Sequence, residues 1–240
     1  MYVFLLLLAV QISTLEQGLA LLEQGRATDA IPLLVRATQA QPADPVAWKA
    51  LGVAHASLSH YEQAEPAFAQ ACRLAPRLAD TCYFEGRALY ALNRFEASIA
   101  ALERSPSNAK VRLGIGQALE ALGRFDEAER AMRGAAGIDN GPAANVALGL
   151  LLLRTGRASE AEVLLARTVD KFPNSADARL QLARALMERA AFDLAITQLE
   201  FALQLSPTAQ AHLLLAKAYT RIGRAKDAQP HFEAAAKATQ

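Results

Sequence analysis

Two tracks of small residues run through the chain in step. The first is Gly18, Gly52, Gly86, Gly116, Gly149, Ala183 and Ala216. The second is Ala30, Ala64, Ser98, Ala128, Ala161, Ala195 and Ala228. Both advance by 34, 34, 30, 33, 34 and 33 residues. Chance does not give two tracks one set of steps, so the chain is a seven-fold repeat. A period near 34 is that of helix-turn-helix units stacked into a solenoid, because one such unit cannot bury its apolar face alone.

Composition agrees with helices. Of the 240 residues 52% are hydrophobic and only 6% aromatic, so the apolar mass is largely Ala and Leu, both strong helix formers. That length suffices for one large domain or two small ones. Net charge is +1, from 25 basic and 24 acidic residues. This balance gives no general reason to expect nucleic acid or an anionic membrane as a partner.

The second unit shows the repeat most fully, as WKALGVAHASLSHYEQAEPAFAQACRLAP over residues 48–76. Trp48, Leu51, Gly52, Tyr61, Ala64, Phe68, Ala71 and Pro76 resemble the tetratricopeptide repeat family, with His55 in place of a usual Tyr. The resemblance covers residues 11–240, in repeats near 11–44, 45–78, 79–108, 109–141, 142–175, 176–208 and 209–240. It implies an all-α, right-handed superhelical solenoid of helix-turn-helix repeats. It also implies a concave groove, lined by the first helix of each repeat, that holds an extended or helical peptide.

The residue types explain the intervals. Gly52 and Ala64 are placed at the crossing of a repeat's two helices, where anything larger than methyl would hold them apart. Gly25, Gly123, Gly156 and Gly223 suit turns that need a left-handed backbone. Pro42, Pro76, Pro173 and Pro207 end second helices. Pro32, Pro66 and Pro230 are expected in the first turn of second helices, where a missing N–H costs nothing. The third repeat is short, and its second helix closes at Ser105-Pro106-Ser107. The fourth carries Gly134, Gly137 and Gly141, which predict a loose or kinked helix end and a bend between repeats 1–3 and 5–7.

Residues 1–10 include the apolar run YVFLLLLAV, too short to span a bilayer but suited to the apolar part of a secretory signal. No Lys or Arg precedes Arg26, so a cap on the first helix pair or a truncated start is the alternative. A chain exported, or tethered to a membrane through this segment, is the expectation if the segment is a signal, and a cytoplasmic one otherwise. Cys72 and Cys82 lie either side of Pro76 and would pair in an oxidising compartment or stay buried thiols in a reducing one.

Catalytic and metal chemistry find no support in the sequence. His55, His60, His212 and His231 have no Cys, Asp or Glu at ligand spacing on a shared helix face, and His55 and His212 fall at packing positions where a satisfied structural role is expected. The glycines of RLGIGQALE lack the full dinucleotide fingerprint and follow no strand. No nucleophile has its base. The expectation is a non-enzyme without a cofactor.

Specificity would then rest on the groove. The candidate peptide-binding residues are Lys49, Tyr83, Arg87, Tyr90, Lys110 and Gln117, with Phe84 read as packing between helices. The best-known tetratricopeptide ligands are acidic chaperone tails gripped by Lys, Asn, Asn, Lys and Arg. Here Lys49 and Lys110 match, but Val53, Phe84 and Gly114 stand at the other places, which argues against that role. Groove positions of the later repeats include Leu150, Arg154, Asp177, Arg184, Lys217 and Arg221. Nucleic-acid readout is disfavoured because Asp80, Glu120 and Asp177 share the groove with the cations. An adaptor subunit of an enzyme or secretion complex is the alternative. Self-association through the apolar edge near Phe232 is a further expectation.

Overall fold

In the first helix of a repeat a glycine leaves a hole, and sixteen residues later the second helix supplies the side chain that fills it. Leu34 enters the hole at Gly18, Phe68 that at Gly52, Leu102 that at Gly86 and Leu165 that at Gly149. All four side chains are almost completely buried. At Gly52 an added Cβ would lie 2.6 Å from two atoms of the Phe68 ring. The sequence expectation that a methyl fits here is therefore corrected: the site admits hydrogen alone. Ala64 is fully buried close by, on the same helix as Phe68.

The computed structural model describes residues 14–77, 80–139 and 141–238. Among them every regular element is a helix. Helix α1 covers residues 14–23. The following helices are α2 (Ala27–Ala40), α3 (Pro45–Ser57), α4 (Tyr61–Leu74), α5 (Thr81–Ala91), α6 (Phe95–Glu103) and α7 (Ala109–Ala121). Then come α8 (Phe125–Ala136), α9 (Ala143–Arg154), α10 (Ala158–Lys171), α11 (Ala176–Glu188), α12 (Phe192–Leu205), α13 (Ala209–Arg221) and α14 (Ala225–Lys237). Odd-numbered helices are the first of each repeat. The apolar leader at residues 1–10 lies outside the described residues.

The chain divides into two compact units, residues 1–124 and 125–240. Within the first, consecutive helices from α2 to α7 pack in sequence and α5 also touches α7. Its core joins Ala30, Leu34, Ala50, Leu51, Ala54 and Ala67, with Trp48 against its flank. Within the second, consecutive helices from α8 to α14 pack in the same way, and the first helices α9, α11 and α13 touch their neighbours.

Local chemistry sets the helix ends. Asp44, Asn108, Ser175 and Thr208 each accept a backbone N–H and so cap α3, α7, α11 and α13. The expected glycines take left-handed backbone at the intra-repeat turns, for example Gly123 at φ 75°. Ser59, Asn93 and Ala190 fill the equivalent turns with the same handedness at φ near 58–59°. Helix α6 has only 9 residues, against 14 in α4 and α10, as the short third repeat requires.

Three prolines depart from expectation. Pro32, Pro66 and Pro230 sit at the sixth position of α2, α4 and α14, beyond the first turn. Each therefore leaves the carbonyl four residues earlier without its helical donor. All three prolines are exposed, as are Thr28, Glu62 and Lys226 four residues before them, so water serves instead and the helices continue. Helix α8 likewise runs through Gly134 and ends at Ala136.

Cys72 and Cys82 form a disulfide that ties α4 to the start of α5, with Cα atoms 4.7 Å apart. Both residues are buried.

Candidate functional site

Helix α5 carries Tyr83, Arg87 and Tyr90 at spacings of four and three, which places them on one face. Phe84 beside them turns inward, its ring 5.4 Å from that of Phe68 on α4 and 5.8 Å from that of Tyr83. Lys49 reaches across from α3 to hold its Nζ 5.5 Å from the centre of the Phe84 ring. The packing role assigned to Phe84 is thus seen directly, and the same ring doubles as a wall.

That wall belongs to a cavity of about 180 Å³ lined by Ala56, Tyr61, Phe68, Phe84, Arg87, Ala88, Tyr90 and Ala91. It lies where the end of α3, the start of α4 and the second half of α5 meet. Four aromatic rings bound it, while three alanines leave the space between them. Tyr90 is fixed by an edge-on contact with Phe95, centroid to centroid 5.3 Å. Arg87 is exposed, and no carboxylate pairs with it among the described residues.

Arg87 and Tyr90 line the cavity, and Lys49 and Tyr83 lie against its Phe84 wall. Lys110 and Gln117 sit on α7 and are not among its lining residues. Tyr61 and Phe68 line it too, although the repeat pattern assigns both to packing. A run of Ala88 and Ala91 opposite two aromatics is the signal that sequence offered for a void.

The surroundings are more charged below the surface than the pattern suggests. Glu85, on the opposite side of α5, is 7% exposed and bonds Arg104 at 2.5 Å. Burial raises its pKa above the ordinary value, outweighing the lowering by Arg104. His55 also departs from expectation: its Nδ1 is buried with no hydrogen-bond partner among the described residues. Burial, and then His60, hold its pKa below the usual histidine range.

The second unit offers two further hollows. One of about 140 Å³ is lined by Leu150, Leu153, Arg154, Arg184 and Glu188 on the first helices α9 and α11. Leu150, Arg154 and Arg184 are the groove positions expected from the repeat phase. The other, about 430 Å³, has Arg133, Leu152, Val163, Leu164 and Arg167 among its walls on α8, α9 and α10. Beside it Arg157 bonds Glu129 at 2.5 Å and Glu160 at 2.6 Å, and Arg133 also bonds Glu129. The Arg157 hydrogen bond is the main reason that the Glu129 carboxyl lies below its ordinary pKa. No group of three or more His, Cys, Asp or Glu among the described residues could hold a metal ion. No described helix is long and apolar enough to cross a membrane.

The tetratricopeptide repeat family matches residues 15–79, 83–145 and 180–240, and a second form of the same repeat matches 152–200. The chain belongs to this family. The tetratricopeptide repeat is in general a non-catalytic protein-interaction fold, and no catalytic family is matched. No curated protein matches the chain. Among solved structures, a tetratricopeptide repeat protein from Parabacteroides merdae aligns with a TM-score of 0.77 at 15% identity, over 96% of this chain and 93% of that one. The Cut9–Hcn1 hetero-tetramer of the APC/C aligns with a TM-score of 0.71 at 17% identity, over 91% of this chain. This chain spans 44% of the length of that one. TTC0263, a thermophilic tetratricopeptide protein of Thermus thermophilus, aligns with a TM-score of 0.58 at 26% identity, over 74% of this chain and 99% of that one.

Proposed function

We propose that the protein is a non-catalytic scaffold that holds a segment of a partner protein on the α3–α5 face. One apolar side chain of the partner enters the cavity, and an acidic neighbour meets Arg87. The observation that carries this reading is the cavity itself, with aromatic walls and an uncommitted guanidinium at its rim. Cavities of roughly 150 Å³ with apolar linings accept a benzene ring. A space of about 180 Å³ therefore suits one ring-sized or leucine-sized side chain. Membership of the family supports a protein as the partner, and the Cut9–Hcn1 hetero-tetramer, a chain of which shares this fold, is an example of such assembly.

Magnitudes divide the work between pocket and cation. Burying one aromatic side chain removes roughly 150–250 Å² from water, about 4–6 kcal/mol before the costs of ordering. An exposed ion pair contributes roughly 0.2–1 kcal/mol. Affinity thus comes from the cavity, while Arg87 and Lys49 select charge and register.

The test compares tagged wild type, Arg87→Glu and Ala91→Leu for the proteins they retain from native cells, read by mass spectrometry. Ala91 is exposed and lines the cavity, so leucine blocks it without disturbing the core. A companion reduced roughly three- to tenfold by Arg87→Glu and removed by Ala91→Leu supports the reading. Companions unchanged in both folded variants place the contact surface elsewhere. The paired cysteines and the apolar run at residues 2–10 together support a chain that works outside a reducing cytosol.

A further inference from the structure

The last repeat joins its two helices through a pair of histidines. His212 on α13 and His231 on α14 bring their Nδ1 atoms to 3.0 Å. Their ring centroids are 5.3 Å apart, and the 2.3 Å by which that exceeds the nitrogen separation is the width of one imidazole ring. The two nitrogens therefore lie on the line between the rings, each in-plane bonding direction aimed at the other. A metal ion on that line would need about 4 Å between nitrogens, at 2.0–2.1 Å per bond. A hydrogen fits, as one N–H···N bond.

The pair is covered on one side by an aromatic ring. Tyr219 of α13 lies parallel to His231 at 6.0 Å and donates its hydroxyl to Glu200 of α12 at 2.7 Å. Arg224, at the start of α14, covers the other part of the Tyr219 ring at 4.6 Å and bonds Asp227. Both histidines are half-buried, so protons reach them from water. Helix α14 is held to the rest of its unit through α13, whose Leu215, Ala216, Ala218 and Tyr219 are buried.

We infer that the His212–His231 contact is an acid-sensitive latch on the last helix. A neutral pair has one donor and one acceptor. A first proton leaves an imidazolium facing an imidazole, and the bond survives. A second proton turns both nitrogens into donors at 3.0 Å, with two positive rings edge to edge, and the helices must part. The apolar face of α13 is then uncovered.

The direction with pH follows from the native environment. Burial first, and then His212, hold His231 below the ordinary histidine value, against Glu200 and Asp227, which raise it. An undocked histidine takes up its proton near pH 6.5. Docking is therefore fully favoured above that pH and weakens as pH falls from it toward the native value.

The experiment is a histidine-resolved NMR titration of the full chain between pH 8 and 5, with amide exchange of α14 measured in parallel. The titration should show two separated steps, as coupled groups do. The opening constant of α14 should rise with the second, by up to about tenfold per pH unit, while α11 and α12 keep their protection. His231→Asn and His212→Asn place an amide where each Nδ1 stood, keep a hydrogen bond that cannot titrate, and each should flatten the rise. Opening that is flat in wild type, or equally steep in a docked variant, overturns the latch. If both variants leave α14 open at every pH, the wild type decides: coincidence of the lower step with opening supports the latch, and a single ordinary step overturns it.

Discussion

Replacing Gly149 by alanine adds one methyl group where Leu165 already stands. The new Cβ would meet Cδ2 and Cγ of Leu165 at 2.7 Å and Cδ1 at 2.8 Å. To reach an ordinary contact of 3.4 Å the whole branched end must retreat by about 0.7 Å. Leu165 has no exposed surface into which to retreat. Overpacking of this kind costs typically ~1–3 kcal/mol. Alanine returns about 1 kcal/mol of helix propensity over glycine. With three contacts under 3 Å the overpacking cost belongs to the upper part of its range, about 2–3 kcal/mol, so the net expectation is a loss of roughly 1–2 kcal/mol, localised to α9 and α10. Urea unfolding followed by helical circular dichroism gives the total, and amide exchange assigns it to those helices. Leu165→Ala alone should cost about 2–5 kcal/mol, and the double variant should cost less than the two combined, because each change makes room for the other. Gly114→Ala is the control, since its new methyl meets Leu102 at 3.2 Å and no closer. It should be neutral or stabilising. Equal stability of Gly149→Ala and wild type would refute the tight-crossing argument.

Reducing the Cys72–Cys82 bridge frees a loop with a sequence separation of 10. The chain-entropy estimate for a loop of that length is about 2–3 kcal/mol. Exchange protection in α4 and α5 should fall under dithiothreitol while that of α11 and α12 holds, and unchanged protection in α4 and α5 would count against the bridge. Glu129→Gln removes a carboxylate whose native pKa is depressed, so the stabilisation it loses is that present above about pH 4.5 and lost as pH falls through the native value. It should cost roughly 0.5–1 kcal/mol at pH 7 and flatten the acid limb of the unit's unfolding curve. Glu85→Gln acts in the opposite sense. Its native pKa is raised, so the neutral side chain should hold stability as pH rises from 4 to 7, where wild type loses some. A parallel loss in the variant would exclude a buried-charge penalty.

The architecture was legible because packing at a helix crossing is a constraint on volume, and volume is written in residue type. The step from Gly52 to Phe68 is repeated from Gly18 to Leu34, Gly86 to Leu102 and Gly149 to Leu165, so four crossings declare one geometry. Volume arithmetic at one residue is less forgiving. The pattern alone allowed a methyl at Gly52, whereas the Phe68 ring fills that space. The prolines show a similar limit. Residue type placed them near the start of second helices, but exposure decided that a sixth-position proline is tolerated, and exposure depends on what packs alongside.

Contacts between helices are where sequence stops informing. His212 and His231 are nineteen residues apart and share no helix face, so no spacing rule couples them, yet antiparallel packing of α13 on α14 sets their nitrogens 3.0 Å apart. The cavity beside Arg87 has the same origin. Its walls come from three helices, and it exists because Ala56, Ala88 and Ala91 fail to fill the space that Tyr61, Phe68, Phe84 and Tyr90 enclose. Small residues do two jobs in such an array. Where a large partner occupies the hole, as at Gly149, they set the helix crossing. Where no partner of the same chain arrives, as at Ala91, they leave a vacancy of side-chain size. The first kind is fixed by the fold and recurs with the period. The second kind is not tied to the period, is free to vary from repeat to repeat, and gives a uniform scaffold a place to acquire a specific partner.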